Sequence, residues 1–126
     1  MSRILIVEDE KKIARFLELE LTHEGYEVQT AGDGRSGLEQ AQSWQPDLLI
    51  LDEPINGLDP QGIAEIRDTL KRLNQKKGIT ILISSHILEE LYKVADTFGI
   101  INQGELILEL SKEELEDISK RVKKFR

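Results

Sequence analysis

Residues 46–54 read PDLLILDEP, an unbroken apolar run set between Pro46-Asp47 and Asp52-Glu53. A short apolar run bounded by charges is the pattern of a strand covered on both faces, as in a parallel sheet. RILIVEDE, residues 3–10, repeats it: a β-branched apolar run that ends on Glu8, Asp9 and Glu10. In open parallel sheets, ligands gather at the carboxyl ends of the strands, which is where both runs place their acids.

The segments between and beyond these runs read as alternating helices and strands. Residues 11–26, KKIARFLELELTHEGY, carry Ile13, Phe16, Leu17, Leu19 and Leu21 at roughly helical spacing, with Gly25 as a stop. EVQTA (27–31) reads as a strand and GDG as a turn. RSGLEQAQSW (35–44) reads as a helix with Leu38, Ala41 and Trp44 inward, ended by Pro46. After the 47–52 strand, residues 63–77 form a helix with Ile63, Ile66, Leu70 and Leu73 on one face and Gly78 at its end. ITILIS (79–84) is a fourth strand, residues 86–96 a helix and TFGIIN (97–102) a fifth strand. Gln103-Gly104 links that strand to ELILEL (105–110) as a hairpin, so the last strand is antiparallel. Ser111, with Glu114 three residues on, forms a capping box for a C-terminal helix. This order implies a three-layer α/β sandwich: a mainly parallel five-stranded sheet with helices on both faces, plus an antiparallel edge strand.

A chain of 126 residues suits a single α/β domain. Apolar residues make up 39% and charged residues 33%, a globular balance, and no apolar run approaches the roughly 20 residues of a spanning helix. No signal peptide is expected and zero cysteines exclude disulfides and thiolate metal sites, so a cytoplasmic setting is expected. Of the net charge of −7, residues 1–52 contribute eleven acids against five bases, and residues 53–126 thirteen against twelve. Such acidity argues against nucleic acid as a partner, and the basic run KRVKKFR suits the C-terminus of a helix. No membrane partner is expected. His23, at a helix end, reads as a surface residue.

Residues 1–52 resemble the receiver domain of two-component response regulators, carried by ILIVEDE, TAGDGRSGLEQA and PDLLILD at that family's spacing. The resemblance implies a flavodoxin-like fold with strand order 2-1-3-4-5. It implies Asp52 as phosphoacceptor, and Glu8, Asp9, Asp52 and the backbone carbonyl of Pro54 as ligands of Mg²⁺. Close-packed carboxylates are tolerated when such a hard cation lies between them. Ser84 or Ser85 matches the switch hydroxyl at the end of strand four. The family's phosphate-holding lysine at the end of strand five is missing from TFGIINQGEL.

Residues 46–110 resemble the later part of an ABC-transporter nucleotide-binding domain. LLILDEP looks like its Walker B strand, NGLDP its D-loop, TILISSH its switch-histidine strand, and ADTFGIINQGELI the strand and hairpin that follow. The match implies Asp52 as a Mg²⁺ residue, Glu53 as the residue that polarises attacking water, Asp59 in the D-loop and His86 facing the γ-phosphate. The phosphate cradle G-x-x-x-x-G-K-[ST] is absent, since GDGRSG at 32–37 is followed by Leu38-Glu39, and so is the LSGGQ signature. Positioning supplies most of the rate in phosphoryl transfer, so Glu53 and His86 are not expected to be competent.

Two families therefore meet in one chain, with a join within residues 45–52. Residues 1–52 form the receiver-like half, 53–110 the ABC-ATPase-like half and 111–126 a C-terminal helix. Gly57 and Asp59 also suit the receiver loop. The expected protein is an engineered chimera with no intact autonomous activity, not an enzyme, with no required cofactor. Its alternatives are a residual receiver that binds Mg²⁺ and accepts phosphate weakly on Asp52, and an ATP-binding fragment. A monomer is expected, with a helix-mediated dimer as alternative. A strand order like that of P-loop NTPases is the alternative to 2-1-3-4-5, and contact between the first and third strands decides between them.

Overall fold

In the computed structural model, β1 (Arg3–Val7) pairs in parallel with β2 (Glu27–Ala31) along one edge and with β3 (Leu48–Asp52) along the other. Its four apolar residues Ile4, Leu5, Ile6 and Val7 are all buried, as a strand with both edges paired and both faces covered demands. β4 (Thr80–Ser84) pairs in parallel with the far edge of β3, so the sheet runs β2-β1-β3-β4. The contact between β1 and β3 selects the receiver order over the ATPase-like one. The structure describes residues 2–52, 59–84, 95, 97–103 and 105–117, with backbone only for 100–102, 107, 108 and 110.

Helix α2 (Gly34–Trp44) and helix α3 (Pro60–Lys77) share one core with the sheet. Leu5, Val7, Leu49 and Leu51 point into it from the strands, and Leu38, Ala41, Ile66, Leu70 and Leu73 from the helices. Half-buried Trp44 packs at its margin. α2 lies so close on β1 that a Cβ at Gly37 would fall 2.3 Å from Cγ2 of Val7. Both helices have firm ends. The Asp33 carboxylate accepts from the Ser36 amide at 2.8 Å, and Asp59 accepts from the Gly62 amide at 2.8 Å with Pro60 at the first helical position. Gln45 and Gly78 close them in the left-handed region, at φ 53° and 69°.

Helix α1 (Lys11–His23) lies on β1 and β2, outside that core. The apolar residues at helical spacing divide between two faces. Ala14 is buried and Leu17 and Leu21 are half-buried, whereas Ile13, Phe16 and Leu19 are 42%, 61% and 53% exposed. Ala14, Leu17 and Leu21 are spaced by three and four residues and form the one stripe that can reach the sheet. Ile13, Phe16 and Leu19 form a second stripe that cannot.

The fifth strand differs from expectation. β5 (Thr97–Asn102) pairs antiparallel with β6 (Glu105–Ser111) in a two-stranded sheet, and the parallel sheet contains four strands among the described residues. A two-residue link closes this antiparallel pair directly, as the sequence leads one to expect. The pair carries a register shift at Ile100/Ile101. Ser111 and Glu114 exchange hydrogen bonds of 3.3 and 3.2 Å as the expected capping box, opening a helical segment over residues 112–117. Where one domain over 1–126 is expected, the chain divides into two compact units, Met1–Ile87 and Leu88–Arg126. The helix expected over 86–96, Ala95 apart, and the rest of the one expected over 111–126 lie outside the described residues. Among the described residues no helix is long and apolar enough to cross a membrane.

The close approach of Gly37 to Val7 makes a prediction about sign. Gly37→Ala alone should lower stability by about 1 kcal/mol, overpacking against a stiff buried valine outweighing the gain in helix propensity. In a Val7→Ala background the same substitution should be stabilising, because the added methyl then fills space. Urea midpoints of the four proteins in this cycle test it.

Candidate functional site: an acidic pair at the carboxyl ends of the parallel strands

The backbone carries Glu8 one residue beyond β1 and holds it there, its amide donating to the Ala31 carbonyl at 3.0 Å. Only 4% of Glu8 is exposed. Its Oε1 accepts a long bond of 3.4 Å from the Glu10 amide, and its Oε2 is buried with no hydrogen-bond partner. Burial, and then the proximity and charge of Asp52, raise the Glu8 pKa from 4.5 to about 7, with a smaller push from Asp9 and partial relief from the Glu10 amide. Glu8 and Asp52 therefore stand as a crowded carboxylate pair, one sealed and one exposed.

Asp52, the last residue of β3, is paired in register with Ser84, the last residue of β4. The Ser84 hydroxyl donates to Oδ1 of Asp52, so of the two switch candidates Ser84 reaches the acid. Ser85, along with Glu53, Pro54, Gly57 and His86, lies outside the described residues. Asp9 is exposed and, with Asp52, lines a cavity of about 510 Å³ between the strand ends and helices α2 and α3. Among the described residues no three histidines, cysteines or acids form a ready-made metal cage. The donors present still suit a hard divalent cation: two adjoining carboxylates, one with an orphaned buried oxygen, is an arrangement that such an ion relieves.

Asp59, placed in the D-loop by resemblance, caps α3 and does not line the cavity. The glycine-rich turn at 32–37 is no phosphate cradle either. The Ser36 amide and hydroxyl both donate to the Asp33 carboxylate, at 2.8 and 3.1 Å, and hold its pKa below the ordinary value. His23 is exposed at the end of α1, as expected. Sequence reasoning missed Arg35, which lines the cavity alongside Asp52; a lone arginine in the first turn of a helix carries no pattern that marks it.

Residues 4–103 match the response regulator receiver domain family. The chain belongs to that family. It is also 44% identical over 98 residues to the response regulator ArlR of Staphylococcus aureus, covering 75% of this chain and 41% of ArlR. The chemotaxis protein CheY4 of Vibrio cholerae superposes with a TM-score of 0.57 at 28% identity, covering 97% of this receiver and 98% of CheY4. A second kinship runs alongside: the bacitracin transport ATP-binding protein BcrA of Enterococcus faecalis is 46% identical over 91 residues. That match covers 72% of this chain but 30% of BcrA. The match thus spans 26–30% of the length of these ATP-binding relatives, and the chain carries both kinships expected of a receiver joined to an ABC-ATPase-like stretch.

The raised Glu8 pKa fixes a direction for stability against pH. The folded receiver keeps a proton that the unfolded chain releases between pH 4.5 and about 7, so stability is present at pH 4.5 and is lost as pH rises through that window. The loss is on the order of 3 kcal/mol. Glu8→Gln should flatten this part of the profile, matching the parent near pH 5 and exceeding it near pH 8 in metal-free buffer. Urea unfolding at stepped pH measures both.

Proposed function

We propose that the protein is a chimeric receiver, engineered or otherwise recombined, whose surviving chemistry is divalent-cation binding and slow phosphoryl acceptance at Asp52. The observation that carries this reading is the meeting of three groups: buried Glu8 beyond β1, exposed Asp52 at the end of β3, and Ser84 on β4 with its hydroxyl on Asp52. Glu8 and Asp52 would hold Mg²⁺, and the bound ion would neutralise charge on an incoming phosphoryl group. From a small acyl phosphate, an Asp52 carboxylate oxygen attacks phosphorus as the bond to the donor oxygen breaks, and the donor departs as its carboxylate. Ser84 orients the acceptor by holding Oδ1. TFGIINQGEL offers no lysine to retain the product, so the phosphorylated state would be short of the cation that stabilises it.

ATP hydrolysis is not part of this reading. The phosphate-cradling motif is missing from the sequence, and the nearest glycine-rich turn spends its Ser36 donors on Asp33.

The test is thermal unfolding at pH 7.5 with increasing Mg²⁺. Stabilisation should reach about 1.4 kcal/mol at a tenfold excess over the dissociation constant and should vanish in Asp52→Asn and in Glu8→Gln. ATP without added Mg²⁺ should leave the transition in place; a shift with ATP alone would favour an ATP-binding fragment instead. Trp44 fluorescence is a poor reporter, because that ring stacks under Arg3 at the opposite end of the sheet, 5.5 Å from the guanidinium carbon.

A further inference from the structure

Helix α1 presents three large apolar side chains to solvent on successive turns: Ile13, Phe16 and Leu19. Its charges are segregated along its length. Lys11, Lys12 and Arg15 occupy the first half, and Glu18 and Glu20 the second, followed by Glu24. This order opposes the helix macrodipole, which favours acids in the first turn and bases in the last, and the first turn of α1 holds no acid. Arg15 and Glu18 satisfy each other at 2.6 Å. Among the described residues Lys12 and Glu20 are in no ion pair, although both lie on the face of Phe16, four residues to either side.

We infer that this face of α1 is a self-association surface, on which a second copy of the chain packs its own α1 antiparallel about a two-fold axis at Phe16. The symmetry sets Phe16 against Phe16 of the second copy, brings Ile13 level with the copy's Leu19, and brings Lys12 level with the copy's Glu20. Each basic half then lies along an acidic half, so the charge order that disfavours the lone helix favours the pair. A parallel arrangement would set like against like. A helix of this length offers a strip about 20 Å long, smaller than a standard interface of roughly 800 Å² per partner, so association is weak and depends on concentration.

Sedimentation of the full 126-residue chain over a range of concentrations tests the inference. A reversible dimer is expected, with Phe16→Glu raising its dissociation constant by about tenfold or more. Lys12→Glu and Glu20→Lys should each weaken it several-fold, and the two together should restore it, because the swap reverses both halves at once. Since the chain has no cysteine, Phe16→Cys should give a disulfide-linked dimer under mild oxidation. Glu24→Cys should not, because the two-fold axis separates its copies by about 24 Å along the helices. Circular dichroism of each variant confirms that these exposed substitutions leave the fold intact. A monomer at every concentration, a dimer indifferent to Phe16→Glu, or equally fast crosslinking through Glu24→Cys would overturn the inference.

Discussion

The parallel pairing of β1 with both β2 and β3 is the constraint on which the rest of this structure depends. A strand whose two edges are bonded and whose two faces are covered admits apolar side chains throughout, and RILIV supplies four of them in succession. Its N-terminal end is tied down by Arg3. That backbone amide donates to Asp47 at 2.8 Å, and the guanidinium donates to the Trp44 carbonyl at 2.8 Å while lying over the indole ring. With the strand fixed there, Glu8 emerges at the other end into a buried position that it cannot leave without dismantling the ladder. The electrostatic tension at Glu8 is thus a consequence of sheet geometry.

Much of this arrangement is legible in the residues because the relevant signals are local. Apolar runs closed by charges specify β1 and β3, Gly25 and Gly78 adopt the positive φ that ends α1 and α3, and Ser111 with Glu114 forms the reciprocal cap. Two features escape such reading for physical reasons. In α1, apolar residues fill six of the nine positions from 13 to 21, so periodicity no longer selects a single inward face, and only the sheet beneath decides that Ala14, Leu17 and Leu21 turn inward. The place of β5 is only half local: Gln103-Gly104 specifies its hairpin with β6, but nothing within TFGIIN specifies whether its other edge joins a larger sheet.

The candidate site shows the same division. Glu8 and Asp52 are predictable as strand-end acids, whereas the burial that leaves Glu8 Oε2 without a partner depends on how the strand end is covered. The acceptor role of Asp33 is instructive in the other direction. A glycine-rich turn ahead of a helix suggests anion binding, but a carboxylate within the turn already occupies the donors, and a helix start that caps itself has less to offer a phosphate.

The acidic site draws on stretches that carry both resemblances. Glu8 comes from the receiver-like half, Ser84 from the stretch that resembles an ABC ATPase, and Asp52 from the strand they share. What aligns them is the register of the β3–β4 ladder, in which Leu48 pairs with Thr80 and each residue in turn with its counterpart up to Asp52 with Ser84. Two five-residue strands paired end to end bring their last side chains level whatever their ancestry. A short apolar strand with a hydroxyl at its carboxyl end, in this register, is enough to place that hydroxyl on the aspartate. The contact of Ser84 with Asp52 therefore needs only that ladder, whereas a nucleotide site needs a loop of a particular shape between strand and helix. An acidic pair therefore forms at the strand ends of a chain whose sequence lacks the phosphate-cradling motif.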